Sequence, residues 1–275
     1  MLVTGASGQL GSAFRRALGV GLFPERVALD LSQPALLVAA LADMHPAAIV
    51  NCGAYTAVDR AEDEEELATG VNGVAVGVMA SYAARRRIPF VTFSSDYVFA
   101  GDASIPYVES SPTGPVNAYG RSKLAGEVVA LDEYPAALVV RTSWLLSATH
   151  PNFVATVLRA ASERMLDVVD DQRGCPTMVD DLVPAVLAAI RSDVSGVLHL
   201  TNGGEATWFE IAQAALALAG KSRDRVRPCS TSEYPTRARR PAYSVLGSER
   251  RRDLGIPELP HWRESLLAVV AGLVS

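Results

Sequence analysis

Residues able to carry acid–base chemistry lie close together between Ser95 and Lys123. Ser95 ends an apolar run, and Tyr119 and Lys123 lie four residues apart where a helical pattern begins. Residues i and i+4 of a helix share one face, so the phenol and the ammonium group point the same way. Because a nearby ammonium favours the phenolate, we expect Lys123 to lower the pKa of Tyr119 from its usual ~10. Such a phenol can donate a proton to a carbonyl that is being reduced.

The same spacing is also common on solvated helices. The chain has eight tyrosines but only two lysines, Lys123 and Lys221, among 25 basic residues. A chance Tyr-x-x-x-Lys is therefore expected roughly 0.06 times, which is the false-positive risk of such a motif. A lysine at 123 in a chain that otherwise uses arginine indicates a role that a guanidinium cannot fill.

Composition limits the class of protein. The 275 residues are 49% hydrophobic and 20% charged, with a net charge of −5, which is typical of a globular protein and disfavours general nucleic-acid binding. The three cysteines, Cys52, Cys175 and Cys229, lack metal-ligand spacing. No signal peptide and no apolar run of membrane-spanning length is visible. We expect a cytoplasmic protein that binds neither nucleic acid nor membrane.

A glycine-rich segment, Gly5, Gly8 and Gly11, lies between a short strand at 1–3 and a helix at 12–20. Such a turn brings backbone N–H groups and a helix N-terminus close to a phosphate. The Gly-x-x-Gly-x-x-Gly spacing therefore favours a bound dinucleotide, although an ordinary glycine turn has the same composition. Residues 26–31 suggest a second strand that ends near Asp30, where an acidic residue can bond a ribose hydroxyl. Asp30 is also compatible with a helix start ahead of Pro34, so the choice between NADH and NADPH stays open.

Apolar strands at 47–55, 89–93 and 136–144 alternate with helical segments at 35–44, 72–84 and after Tyr119. This alternation predicts an α/β fold with a doubly wound parallel sheet, and a smaller C-terminal lobe follows it. Functional groups gather at the carboxyl ends of such strands. Trp144, at one strand end, can stack on a sugar or base, or it can be a core residue. The basic loop at 237–244 can clamp a diphosphate or be a solvated loop, and the acidic run at 62–66 is a solvated helix start.

Together these segments resemble the extended short-chain dehydrogenase/reductases, and within them the dTDP-4-dehydrorhamnose reductases, nearly from end to end. The motifs that carry the resemblance are TGASGQLG (4–11), NCGAYTAVDRAE (51–62), SDYVF (95–99), YGRSKLAGE (119–127), RTSW (141–144), DQRGCPT (171–177) and ARRP (238–241). The first and fourth mark the superfamily, and the others together mark these reductases and their close relatives. Cys52 and Gly53 stand where the family usually has two alanines.

The resemblance implies a reduction of dTDP-4-dehydro-L-rhamnose to dTDP-L-rhamnose by hydride transfer from NADPH or NADH. Tyr119 would protonate the C4 oxygen, Lys123 would tune Tyr119 and bond the nicotinamide ribose, and Ser95 would bond the same oxygen. The implied cofactor-binding residues are Gly5, Gly8, Gln9, Leu10, Gly11, Asp30, Leu31, Gly53, Ala54, Tyr55, Tyr119 and Lys123. The implied substrate-binding residues are Ser95, Asp96, Tyr97, Trp144 and Arg240.

The resemblance also implies a division into a Rossmann domain at 1–146, joined by 166–192, and a mainly substrate-binding lobe at 147–275. Some relatives dimerise around a magnesium ion held by a glutamate in the first helix. The corresponding residue here is Ala13, so we expect no metal and a monomer or weak homodimer.

Two other functions fit parts of this pattern. The regulatory subunit of methionine adenosyltransferase is similar to this family and binds a dinucleotide without a known need for turnover. A sugar-nucleotide epimerase or dehydratase shares the superfamily motifs, but the dehydratases carry Asp-Glu where this chain has Asp96 and Tyr97 after Ser95.

Overall fold

The structure, a computed structural model, describes residues 1–274. The α-helices are α1 (Gln9–Leu18), α2 (Pro34–Met44), α3 (Glu65–Thr69), α4 (Ala75–Arg86), α5 (Ala118–Glu133), α6 (Phe153–Glu163), α7 (Val179–Arg191), α8 (Trp208–Leu218) and α9 (Trp262–Val274). The strands are β1 (Leu2–Thr4), β2 (Ile49–Asn51), β3 (Phe90–Ser95), β4 (Leu138–Thr142), β5 (Leu145–Leu146), β6 (Leu166–Val169), β7 (Arg173–Gly174), β8 (Thr177–Met178), β9 (Gly196–His199), β10 (Asn202–Gly203), β11 (Ala206–Thr207), β12 (Val226–Cys229) and β13 (Leu259–His261).

A parallel sheet of five strands, in the order β1-β2-β3-β4-β9, forms the centre of the fold. Its strands are apolar and buried because helices cover both faces, which is the arrangement that parallel sheets require. One face packs against α1 and α7 through Phe14 and Val186. The other packs against α2 and α4 through Leu41 and Met79. The predicted α/β fold with a parallel sheet is confirmed.

The predicted strand at 26–31 is wrong, since these residues form turns. Val27 is 92% exposed, and Leu29 and Leu31 are buried but lie in turns and join no strand. On the edge of β1 away from β2, Leu22 takes the place of a neighbouring strand: it accepts a hydrogen bond from Val3 N and donates one to Met1 O, both at 2.9 Å. Pro24, which has no N–H, follows Leu22 closely and interrupts any continuation of this pairing.

The C-terminal lobe has its own apolar core, which α6, α8 and α9 build around Trp262 and Leu266. Four two-stranded pairs belong to this part of the chain or join it to the sheet: β5 with β8, β6 with β12, β7 with β11, and β10 with β13. Between β8 and β10 the chain returns to the central sheet through α7 and β9. The lobe therefore lies over the carboxyl ends of the strands, where β4 leads into β5.

One helical stretch, Glu65–Arg86, is long and apolar enough by length and composition to cross a membrane. It comprises α3, α4 and the π-helical turn Gly70–Val74 between them. The expectation that no segment reaches this length is therefore wrong. However, 61% of its apolar window is buried inside the fold, as in the core helix of a globular domain, so the stretch is weak evidence for a membrane span.

Candidate active site

A cavity of about 1040 Å³ lies at the carboxyl ends of β1 to β4, between the sheet and the C-terminal lobe. All but one of the site residues expected from the sequence line this cavity. They are Gly5, Gly8, Gln9, Leu10, Gly11, Asp30, Leu31, Gly53, Ala54, Tyr55, Ser95, Asp96, Tyr97, Tyr119, Lys123 and Trp144. Arg240 is the exception and is absent from the cavity wall. Residues that are spread along the chain from Gly5 to Trp144 thus converge on one cleft.

The glycine segment forms one end of the cavity. Gly5 has φ +60°, and a Cβ on Gly11 would come within 2.2 Å of Gly5 O, so these two glycines are required for the turn and for packing α1 onto it. A Cβ on Gly8 would meet only Gly5 O, at 3.4 Å, so its missing side chain leaves space on the cavity side. Gly8 caps α1 without any side-chain hydrogen bond, which leaves the N-terminal N–H groups of the helix available to an anion.

The ends of β1 and β2 are held together beneath this turn. Thr4 Oγ1 donates to Asn51 Oδ1 at 2.6 Å and accepts from Gly53 N at 2.9 Å. A Cβ on Gly53 would lie 2.6 Å from Leu31 Cδ1, so the absence of a side chain lets Leu31 pack against this strand end. Asp30 therefore reaches the cavity although its predicted strand is absent. Hydrogen bonds from the Ser32 N–H and hydroxyl, with Arg26 nearby, lower the pKa of Asp30.

Several buried polar atoms that line the cavity have no hydrogen-bond partner within residues 1–274. They are Gln9 Oε1, Ser94 Oγ, Thr142 Oγ1 and Trp144 Nε1. Buried polar atoms are normally paired, so their grouping here fits a cleft that holds a polar ligand. Together with the free helix N-terminus beside Gly8, these atoms fit a dinucleotide that extends from the glycine turn toward Ser95.

The end of β3 and the start of α5 bring Ser95 next to Tyr119. Asn117 caps α5 by accepting a hydrogen bond from Gly120 N at 2.8 Å. A Cβ on Gly120 would fall 2.1 Å from Tyr97 O, so only glycine lets the helix start lie against the turn that follows Ser95. As a result the Tyr119 and Tyr97 rings meet edge to face, with their centroids 5.9 Å apart, and the Ser95 hydroxyl is close enough to Tyr119 to lower its pKa.

The ionisation of this pair differs from the expectation. Burial and, to a smaller extent, the Asp96 charge raise the pKa of Tyr119 to about 12, and only the Ser95 hydroxyl opposes them. Burial also lowers the pKa of Lys123 to about 8, against a smaller opposing effect from Glu127. Lys123 makes no hydrogen bond or ion pair with any of the described residues. The expectation that the Tyr119 pKa lies below its usual value is therefore wrong for the protein alone, because desolvation dominates. An effect of Lys123 on Tyr119 stays a prediction.

Asp96 is a buried carboxyl group at the centre of the site. It accepts hydrogen bonds from Ser95 Oγ at 2.9 Å and from Ser244 Oγ at 2.6 Å. Burial raises its pKa to about 6, although the two serine hydroxyls oppose this. Ser244 belongs to the C-terminal lobe, so Asp96 connects that lobe to the end of β3.

Arg240 and its loop lie outside the cavity. The Arg240 guanidinium donates to Asp59 Oδ2 at 2.8 Å, and Ala238 N donates to Asp59 Oδ1 at 3.0 Å. Arg237 pairs with Asp63 in the same way. The loop that the sequence left as either a diphosphate clamp or a solvated loop is therefore docked on the acidic segment that follows β2, where carboxylates pair with Arg237 and Arg240.

Sequence reasoning missed several residues of the cavity wall. Trp208, at the start of α8, stacks on Trp144, and His150 bonds Ser7 O of the glycine segment at 3.1 Å. Ser94 and Thr142 also face the cavity with unpaired hydroxyls. The position of Ser94 and Thr142 at strand ends was a usable signal. Trp208 and His150 follow no such rule, because the packing of the second lobe brings them to the cleft.

Comparisons with known proteins agree with this geometry. Residues 1–274 match the family model described as the RmlD substrate binding domain. A probable dTDP-4,6-dihydroxy-2-methyloxan-3-one 4-ketoreductase of Streptomyces antibioticus is 44% identical over 96% of this chain and 92% of that protein. A dTDP-4-dehydrorhamnose reductase of Burkholderia thailandensis is 41% identical over 100% and 99%. The crystal structure of a Bacillus anthracis dTDP-4-dehydrorhamnose reductase in complex with NADP superposes with a TM-score of 0.93 at 33% identity, covering 98% of each chain.

A parallel α/β sheet with a glycine turn after β1, and with Ser95, Tyr119 and Lys123 at its carboxyl edge, defines an extended short-chain dehydrogenase/reductase. Within that class, the chain belongs to the family of the RmlD substrate binding domain, which the model matches over residues 1–274.

Proposed function

We propose that this protein reduces the C4 ketone of dTDP-4-dehydro-L-rhamnose to the alcohol of dTDP-L-rhamnose, a step of nucleotide-sugar biosynthesis. The observation that carries the proposal is the convergence of Ser95, Tyr119 and Lys123 on the cleft that also contains the glycine turn. The names of the relatives, which cover nearly the whole chain, support the same reaction.

In this proposal NADPH or NADH, when bound, supplies the hydride. The coenzyme-binding residues are the glycine turn with Gln9 and Leu10, the segment of Asp30 and Leu31, the β2 end at Gly53, Ala54 and Tyr55, and the pair Tyr119 and Lys123. The unpaired N–H groups of α1 would receive the diphosphate. Lys123, which lacks a partner within the described residues, is free to donate to a ribose hydroxyl.

Tyr119 acts as the proton donor. With a pKa of about 12 it is fully protonated at neutral pH, which suits an acid that gives its proton to an oxyanion as that oxyanion forms. The Ser95 hydroxyl would donate a second hydrogen bond to the same oxygen and stabilise its developing charge. The charged Lys123 would then favour the phenolate that Tyr119 becomes.

The nucleotide sugar would occupy the part of the cleft nearest the C-terminal lobe, against Asp96, Tyr97 and Trp144. Burial raises the pKa of Tyr97, and the nearby Arg240 charge opposes this shift. Arg240 is therefore proposed to support this part of the cleft indirectly, through Tyr97. We propose that the sheet domain at 1–146 and 166–192 mainly binds the dinucleotide and that 147–275 mainly binds the sugar nucleotide.

A closely related substrate is a second candidate, because the relative with 44% identity is named for a different dTDP-linked ketone. In that case the residues and the chemistry are the same, and only the sugar differs. A non-catalytic dinucleotide-binding role is the opposing hypothesis. It predicts coenzyme binding without turnover of any keto sugar.

The test is the oxidation of NADPH and, separately, of NADH by the purified protein with dTDP-4-dehydro-L-rhamnose. We expect loss of reduced-nicotinamide absorbance that depends on the sugar nucleotide and is abolished in Tyr119→Phe, while Tyr119→Phe still binds coenzyme. The same assay with dTDP-4,6-dihydroxy-2-methyloxan-3-one, the ketone in the name of the relative with 44% identity, gives a second kcat/KM. The ketone with the higher kcat/KM is the preferred substrate. Coenzyme binding without turnover of either ketone would refute the reductase proposal.

We further propose that the protein acts in the cytoplasm as a monomer or weak homodimer, without metal, nucleic acid or membrane. Size-exclusion chromatography with and without a chelator tests the oligomeric part of the proposal. A dimer that dissociates on removal of a divalent cation would refute it.

A further inference from the structure

The indole of Trp144 is covered on one face by Trp208. The two ring centroids lie 3.7 Å apart, and the planes meet at 8°. Such a short centroid distance between nearly parallel rings means almost complete overlap, so no ligand ring fits between them. Phe153 packs against Trp208 at 4.7 Å with a tilt of 59°, and this contact fixes Trp208 against α6.

Gly174 covers the other face of the same indole. A Cβ on Gly174 would lie 2.6, 2.7 and 2.9 Å from Trp144 Cε2, Cζ2 and Nε1. Beyond the ring edge, Cζ2 and Nε1 would be nearer to that point than Cε2, which lies between them. Because Cε2 is the nearest atom, the point lies above the ring face. If the added Cβ lay on the Trp208 side, it would lie between the two stacked rings and its nearest atoms would include atoms of Trp208. Its three nearest atoms instead all belong to Trp144. Gly174 and Trp208 therefore lie on opposite faces.

The backbone and the polar atom of Trp144 are also fixed. Trp144 has φ +46°, an uncommon conformation for a non-glycine residue, and its carbonyl accepts a hydrogen bond from Thr177 N at 3.2 Å. Its Nε1 is buried without a hydrogen-bond partner among the described residues. The Trp144 side chain nevertheless lies close enough to the Asp96 carboxyl group to oppose the rise that burial causes in the Asp96 pKa. Because both faces are covered and the residue still lines the cleft, Trp144 presents an edge to the cavity.

We propose that Trp208 and Gly174 are positioning residues that hold the Trp144 indole edge-on to the sugar-nucleotide part of the cleft, so that Trp144 does not stack on the substrate. This inference rests on the proposed function and assigns a role to two residues of the C-terminal lobe. Trp208→Ala removes the cover of one face. Gly174→Ala adds a methyl group where the indole now lies and forces the indole to move.

The stack is tested first, without any substrate. Two indoles in face-to-face contact give a coupled pair of circular-dichroism bands of opposite sign, and the chain has only one further tryptophan, Trp262. We expect this couplet in the unmodified protein and in Trp262→Phe, and its loss in Trp208→Ala and Trp208→Phe. A couplet that is absent from the unmodified protein, or that survives in Trp208→Ala, would overturn the inference.

Steady-state kinetics test the role. We expect Gly174→Ala and Trp208→Ala to raise the KM for the nucleotide sugar about tenfold, the factor that corresponds to one hydrogen bond or well-fitted contact. We expect kcat and the coenzyme dissociation constant to change less than about twofold, and Trp208→Phe, which retains a stacking ring, to recover most of the loss. Gly70→Ala is the matched control, because a Cβ there meets nothing within 4 Å.

The outcomes separate this inference from the proposed function. If the unmodified protein turns over no keto sugar, the function fails, whereas the couplet still reports on the stack. If it is active and neither Gly174→Ala nor Trp208→Ala changes the KM for the nucleotide sugar, the positioning role is refuted. An equal rise of the KM for the nucleotide sugar in Trp208→Phe and Trp208→Ala would also refute the positioning role, because an aromatic ring against Trp144 would then make no difference.

Discussion

Glu127→Gln tests the buried ion pair that lies one helical turn beyond Lys123. Arg141 on β4 binds Glu127 on α5 through two hydrogen bonds of 2.9 and 2.7 Å, and the two side chains are only 5% and 4% exposed. The Arg141 guanidinium also lies 5.0 Å from the centre of the Phe99 ring. The substitution leaves this guanidinium charged, buried and without its carboxylate.

The chain contains a matched control for the size of this effect. Glu65 binds Arg121 with the same paired geometry, at 2.7 Å for both hydrogen bonds, but its side chain and that of Arg121 are 44% and 45% exposed. Breaking a buried pair from one side costs about 3–5 kcal/mol. An exposed pair contributes about 0–1 kcal/mol. We therefore expect the free energy of unfolding to fall several times more in Glu127→Gln than in Glu65→Gln.

Urea unfolding at constant pH measures both losses. The double variant Glu127→Gln/Arg141→Met removes both charges, and we expect it to be more stable than Glu127→Gln alone, because the larger part of the loss comes from the unpaired guanidinium. Equal losses in Glu127→Gln and Glu65→Gln, or strictly additive losses in the double variant, would refute this reasoning.

Three further outcomes follow from the site. Gly8→Ala is expected to weaken coenzyme binding about tenfold or more with little change in the free energy of unfolding. Gly11→Ala, whose Cβ would lie 2.2 Å from Gly5 O, is expected to reduce both coenzyme affinity and the free energy of unfolding. Calorimetry measures the affinity and urea unfolding the stability, and equal stability of the two variants would contradict the packing argument. If the charged form of Lys123 is required, kcat/KM falls as pH rises through about 8, the pKa to which burial lowers Lys123, and a profile flat to pH ~10 would exclude that requirement. Burial raises the pKa of Asp96 from 3.8 to about 6, so the folded state holds the Asp96 proton more tightly than the unfolded state does. The stability that this proton contributes is therefore lost as pH rises from about 4 through 6. Asp96→Asn should remove that loss, and an unchanged pH dependence of unfolding in this variant would show that Asp96 is not its source.

Strand ends and glycine positions were readable from the sequence because they follow local rules. A glycine turn between a strand and a helix commonly binds a phosphate at the N-terminus of the helix. Groups at the carboxyl ends of parallel strands lie at the same edge of the sheet. Ser95, Tyr119 and the glycine turn could therefore be assigned to one site before any contact was known. The predicted strand at 26–31 was wrong because burial alone does not set backbone conformation: Leu29 and Leu31 are buried but lie in turns, and Val27 is almost fully exposed.

The sequence by itself determined the α/β class, the family motifs and many of the residues that line the cleft, because periodicity and backbone requirements are written in consecutive residues. Only the tertiary structure decided what surrounds those residues. Burial raises the pKa of Tyr119, against the expected direction, and lowers that of Lys123, and the docking of Arg240 on Asp59 keeps it out of the cleft. The cover that Trp208 and Gly174 place over Trp144 also joins residues far apart in the chain. Desolvation and long-range packing depend on the whole fold, so no local pattern encodes them.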